Sequence, residues 1–292
     1  MIRRVSPYFQ QTGSVMSKNK KSPVKTESPD SIKTESPDSL KNETPDSSVG
    51  PKHWEEVYGN ILTMRADRTA AVDTMGCERS FDEAAAPPVQ RFQCLVALML
   101  SSQTRDEVNY DAMMRLREHG LTVQNIINTD LNDLENLIRP VGFWRNKAKF
   151  IKKTCEILRE KYKDDIPDNV EELCDLPGVG PKMAYLVMNI AWKKQTGIGV
   201  DTHVHRISAR LGWTDPKLCK TPEQTRRSLE DWLPRDRWTE INWLLVGFGQ
   251  QVCLPLHPRC GECLNRQLCP TGQNWAPSPK KKPSPHKRVK SE

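Results

Sequence analysis

Four cysteines crowd into one short stretch near the end of the chain: Cys253, Cys260, Cys263 and Cys269, with the spacing C-x6-C-x2-C-x5-C. Four thiolates this close in sequence can wrap one tetrahedral site. Pro255, Pro258 and Gly261 keep the backbone irregular enough to turn the sulfurs inward. Soft thiolates select zinc or an iron–sulfur cluster. A zinc ribbon usually brings two separate knuckles from distant hairpins, whereas one compact loop supplies every ligand here. The spacing therefore favours a [4Fe–4S] cluster, with zinc and unligated buried cysteine as the alternatives. A site with four protein ligands has no open position, so its expected role is structural. The other five cysteines (Cys77, Cys94, Cys155, Cys174, Cys219) are scattered singly. An odd total with one tight group fits a reducing compartment and a metal site better than a secreted disulfide scaffold.

With 292 residues there is room for one large domain or two small ones. Only 36% of residues are apolar and 22 are proline, which suggests a globular core diluted by polar tails. No run of 18 apolar residues occurs, so no membrane span is expected. The net charge of +7 belongs to the ends: residues 51–270 are neutral, with 30 basic and 30 acidic side chains. Charge alone thus makes no case for nucleic-acid binding by the core. Residues 1–50 are too polar to fold and carry an eight-residue repeat of Ser-Pro or Thr-Pro steps, read as a disordered tail that a kinase could use. The first 26 residues hold no acid, a composition compatible with a mitochondrial transit signal. The basic segment 280–290 reads as a nuclear-import signal or a nucleic-acid-binding tail. Nucleus, and also mitochondrion, are the expected compartments.

Between about 51 and 270 the apolar spacing is helical. Residues 89–100 form a strongly apolar run. Leu134, Leu137 and Ile138 share one face, as do Ala148, Ile151, Cys155 and Leu158, and again Met183, Leu186, Val187 and Ile190. Residues 238–249 end in Gly, as a helix C-terminus often does. No pair of alternating runs would make a sheet, so the fold is expected to be all-α. The segment Leu-Pro-Gly-Val-Gly-Pro-Lys at 176–182 joins two such helices. Gly178 and Gly180 permit a tight turn and close approach to a partner. Pro181 suits the first turn of the next helix, whose exposed N–H groups can hold a phosphate. That is a helix–hairpin–helix, a module that grips a DNA backbone without reading its sequence. Further on, Val-Asp-Thr-His at 200–203 places Asp201 where it could cap a helix, or face the same cleft as Lys182.

Hairpin with lysine, Val-Asp-Thr-His and four-cysteine loop occur in that order, and with Leu-Ser-Ser-Gln-Thr at 100–104 and Val-Gly-Phe-Trp-Arg-Asn-Lys-Ala at 141–148 they resemble endonuclease III within the helix–hairpin–helix DNA glycosylases. The resemblance spans about residues 54–270. Adenine-type glycosylases of the superfamily usually lack the hairpin lysine, and 8-oxoguanine-type members lack the cluster; this chain has both. The resemblance implies two helical domains with a DNA-binding cleft between them. One is a six-helix domain over 86–198. The other joins residues 51–85 to residues 199–270, with 271–292 left as a basic tail.

It also implies a bifunctional DNA N-glycosylase and AP lyase of base excision repair that removes oxidised pyrimidines. A damaged base would be flipped into a pocket. Lys182 would attack C1′ as a neutral amine, which desolvation or nearby cations favour. Base loss would leave a Schiff base, and β-elimination would cut the strand 3′ to the site. Asp201 would stabilise the developing positive charge. Gln103 would fill the gap left by the flipped base and Phe143 would wedge into the stack, although Phe143 and Trp144 also suit core packing. Arg259 is a candidate phosphate contact. Lys147 and Lys149 fit either phosphate contact or a solvated helix face, and His203 is read as structural or functional. Two other classes are a monofunctional adenine-type glycosylase and a non-catalytic DNA-binding module. The expected partner is duplex DNA with damaged bases or abasic sites, met by a monomer away from membranes.

Overall fold

The apolar run at 89–100 sits inside α3 (Pro87–Ser101), which opens on two prolines at its first turn and buries every residue from Phe92 to Leu100. A helix apolar all round belongs in the middle of a core, and α3 packs against α4 (Asp106–His119), α7 (Trp144–Tyr162) and α9 (Pro181–Ile190). The computed structural model describes residues 50–276, and among them there are helices and no strands. Before α3 come α1 (Trp54–Met64) and α2 (Ala71–Met75); α5 (Val123–Asn128), α6 (Leu131–Ile138) and α8 (Val170–Asp175) complete the central part. After it follow α10 (Thr202–Leu211), α11 (Pro222–Glu230), α12 (Trp238–Gln251) and α13 (Pro270–Gln273). No helix among the described residues is long and apolar enough to cross a membrane.

Helix starts follow local chemistry. Thr122, Asp130, Asn169, Asp201 and Thr221 each turn a side-chain oxygen onto an orphan N–H of the first turn. Seven helical segments fall within 86–198, against the six expected; the two shortest, α5 and α8, have six residues each. A second difference concerns α12, which runs on to Gln251 rather than ending at Gly249. Its glycines serve close packing: a Cβ on Gly247 would lie 2.3 Å from Arg65 Nη2, and one on Gly249 2.4 Å from His203 Nδ1.

Apolar side chains gather into two clusters. One draws on residues 92–190, from α3 through α9. The other joins Val57, Tyr58 and Ile61 of α1 to Ile198, Val200 and the inner faces of α10, α11 and α12. Each large aliphatic side chain so buried contributes about 1.5–3 kcal/mol relative to exposure. The chain thus returns to its first helix to complete the second cluster. The acid-free start, the Ser-Pro repeat and the basic segment 280–290 lie outside the described residues.

Candidate DNA-processing site and cysteine loop

The hairpin is built by one left-handed residue. Gly178 has φ +80°, a conformation that costs a side-chain-bearing residue, and a Cβ there would meet the Phe150 ring at 2.7 Å. Gly180 differs: it is the N-cap of α9 in extended backbone that any residue adopts. Val179 N–H bonds to Leu176 O at 3.1 Å, closing the turn. Pro181 is the first helical residue and Lys182 the second. Lys182 is half-buried, and among the described residues it makes no hydrogen bond or ion pair.

Asp201 reaches the same neighbourhood by a different route. The extended stretch 198–200 lies against α9 so closely that a Cβ on Gly199 would sit 2.6 Å from the Leu186 side chain. Asn242 of α12 donates to Gly199 O at 2.6 Å and fixes that stretch. Asp201 then caps α10, accepting from Val204 N–H at 2.8 Å. One turn in, His203 is held below the ordinary histidine range, chiefly by burial; Asp201 and Asp106 oppose that shift, and Arg206 and Lys182 add to it. Lys182 and Asp201 thus act with opposite sign on His203, which stands against Gly249 with its Nδ1 3.3 Å from Arg206 Nη2.

Asp106, the first residue of α4, belongs to none of the sequence motifs. Burial raises its carboxyl above the ordinary range, while a hydrogen bond from Gln250 and the Lys182 and His203 charges pull it down. Gln250 donates to Asp106 Oδ2 at 2.7 Å and accepts from Val72 N–H at 3.1 Å, tying α12 to α4 and α2. An Asp in a first helical turn ordinarily offsets the helix dipole, so nothing local in the sequence marks it. Cys77 also feels the Lys182 charge; burial pushes its thiol up to about 11.

Gln103 and Phe143 lie on two loops that touch. Both are exposed and both have positive φ, 51° and 56°. A Cβ on Gly142 would be 2.4 Å from Gln103 O, and Gly142 N–H bonds to Thr104 Oγ1 at 3.2 Å. Phe143 is 43% exposed, whereas Trp144 packs on the first apolar cluster. Lys147 corrects the expectation of a phosphate contact or solvated face. It is 2% exposed, and its ammonium donates to Leu100 O (2.7 Å), Ser102 O (2.6 Å) and Thr104 Oγ1 (3.2 Å). Burial, then the Lys182 charge, lowers it to about 7. Its position on α7 faces inward, toward the end of α3. Lys149 stays exposed.

Cys253, Cys260, Cys263 and Cys269 line one cavity together with Arg210 and Arg266, and all four are free thiols. Arg210 organises the loop: it donates to Leu254 O (2.6 Å), Pro255 O (2.8 Å) and Cys253 Sγ (3.4 Å), and its own carbonyl accepts from Cys269 Sγ at 3.1 Å. The fully buried Asn265 docks the loop on α1, donating to Val57 O at 3.0 Å and accepting from Asn60 at 2.9 Å. Burial and the charge of its three neighbours push Cys263 up to about 11, against a hydrogen bond from the Asn265 backbone. Burial thus favours the neutral thiols, and a cationic centre would be needed to hold four thiolates in this space. Among the described residues no three His, Cys, Asp or Glu side chains come together closely enough to grip a single ion. Arg259 is exposed on the same loop, its backbone N–H bonded to Val252 O at 2.9 Å.

Fold and site together define a class. The family described as HhH-GPD superfamily base excision DNA repair protein matches residues 96–235, from α3 through the hairpin, Lys182 and Asp201 to the loop after α11. Within that class the similarity narrows. Endonuclease III-like protein 1 of Gallus gallus is 58% identical over 225 residues, covering 77% of this chain and 80% of that one. The protein of the same name from Mus musculus is 57% identical over 224 residues, covering 77% and 74%. A solved structure of a trapped endonuclease III–DNA covalent intermediate, an estranged-adenine complex, aligns with TM-score 0.63 at 30% identity over 75% of this chain and 95% of that chain. The chain belongs to the endonuclease III family of DNA repair enzymes.

Proposed function

We propose that this DNA glycosylase of base excision repair is bifunctional, removing oxidised pyrimidines from duplex DNA and cutting the strand 3′ to the resulting abasic site by β-elimination. What supports this reading is an amine at the second residue of α9, Lys182, that has no hydrogen-bond or ion-pair partner among the described residues, together with Asp201 as the cap of α10; both act electrostatically on His203. The Lys182 amine would attack C1′ while the N-glycosidic bond breaks, giving a Schiff base that eliminates the 3′ phosphate. Asp201 would face the positive charge that develops on the sugar. The turn around Gly178 and Gly180, with the N–H groups opening α9, supplies anion contacts for a phosphate backbone. Arg259 adds a further basic contact, and Gln103 with Phe143 enters the stack where the base leaves. One chain supplies all of these groups, consistent with a monomer.

The cysteine loop fits a [4Fe–4S] cluster through its donor set of four free thiols lining one cavity. Cys253, Cys260, Cys263 and Cys269 would hold it, and it would staple the loop to α1 and α10 as a structural group. Residues 280–290 support nuclear import, and the acid-free first 26 residues support a mitochondrial fraction.

A duplex carrying one thymine glycol tests the activity, with base release and strand cleavage measured separately. Wild type is expected to give both and Lys182→Ala neither. Asp201→Asn is expected to lose about 100- to 1,000-fold in rate. Base release that survives Lys182→Ala would identify a monofunctional enzyme. Tight binding with neither product would leave a DNA-binding module.

A further inference from the structure

We propose that Lys147 is a positioning residue that locks Gln103 and Phe143 into one rigid two-pronged wedge; this rests on the reading of those two residues as gap filler and stack wedge. Both prongs stand in left-handed backbone, with φ 51° and 56°. For residues with side chains that conformation is unfavourable and persists only where the surroundings over-determine it. The Lys147 ammonium is the over-determining group. From the inner face of α7 it crosses to the end of α3 and spends its three donors on Leu100 O, Ser102 O and Thr104 Oγ1. Those acceptors bracket Gln103 on both sides.

Thr104 carries the hold to the second prong. Its hydroxyl oxygen accepts from Gly142 N–H at 3.2 Å, next to Phe143. Gly142 in turn abuts Gln103 O, leaving no room for a Cβ between the loops. Phe143 is also the N-cap of α7, and Lys147 N–H bonds to Phe143 O at 3.0 Å. The same residue thus fixes one prong through its backbone and the other through its side chain. Lys147 is buried and aimed at protein oxygens, so it serves the DNA only through Gln103 and Phe143. A preformed wedge enters the stack without first ordering two loops, which favours base extrusion over simple backbone binding.

The test compares wild type with Lys147→Met, which keeps bulk and removes the donors, and Thr104→Val, which removes one link. Phe143→Ala and Gln103→Ala report on the wedge itself. Each protein is mixed with a thymine glycol duplex carrying 2-aminopurine opposite the lesion. The fluorescence rise on unstacking, single-turnover base release and the DNA Kd are measured, with thermal unfolding as a check. Lys147→Met is expected to lose most of the fluorescence rise and about 10-fold or more in base release, with Kd changed less than about threefold; Thr104→Val is expected to show a smaller loss of the same kind. Full fluorescence in Lys147→Met, beside its loss in Phe143→Ala and Gln103→Ala, would overturn the positioning role while leaving the wedge standing. Full fluorescence in Phe143→Ala and Gln103→Ala would overturn the wedge, and the proposal with it. If Lys147→Met fails to fold, Thr104→Val decides by the same readout.

Discussion

Gly178 and Gly180 look equivalent in the sequence, and the backbone separates them. Only Gly178 needs a left-handed φ, with the Phe150 ring where a Cβ would go. Gly178→Ala should cost about 1–2 kcal/mol in urea unfolding, and Gly180→Ala less than about 0.5 kcal/mol. Equal costs would contradict this division. His203 and His205 carry a second residue-scale prediction. Burial holds both below the ordinary histidine range, so the unfolded chain binds protons that the folded chain refuses. Stability should therefore fall as pH drops from about 6.5 toward their folded values. The Tm of wild type relative to a His203→Gln, His205→Gln double variant should be steady above pH 7 and should fall toward pH 5. A pH-independent difference would contradict the assignment. At this scale Lys182, Asp201 and the cysteines stand out in the sequence because motif and spacing mark them. Asp106 does not, since its neighbours arrive from α9, α10 and α12, and the inward turn of Lys147 on α7 is equally silent.

Helices are the most legible level. The apolar faces of α6, α7 and α9 follow directly from three-and-four spacing. Their ends are less so: α12 passes through two glycines because Arg65 and His203 need the room, a reason that lies in other helices. Gly249→Ala should force His203 and Arg206 aside, costing about 1–3 kcal/mol as overpacking and slowing base release; unchanged stability and rate would contradict that packing. The start of α10 separates two duties of Asp201. Asparagine caps as well as aspartate, so Asp201→Asn should keep stability within about 0.5 kcal/mol while losing activity. Asp201→Ala should lose activity and a further 0.5–2 kcal/mol or so of stability. Matching unfolding curves for the two variants would remove the cap from the account.

At the scale of the whole molecule, α1 completes a core whose other members lie some 140 or more residues further along. Periodicity gives a helix its buried face and not its partner, so that return was legible only through resemblance. The cysteine loop closes it, with Asn265 against α1 and Arg210 of α10 against the loop carbonyls. In the proposed chemistry these levels meet at one atom, Lys182 Nζ. Borohydride trapping tests it most directly: the protein is incubated with a thymine glycol duplex, the imine is reduced, and the covalent adduct is mapped by peptide mass spectrometry. The account predicts an adduct on Lys182 that vanishes in Lys182→Ala. An adduct on another amine such as Lys147, or base release with no adduct at all, would contradict it.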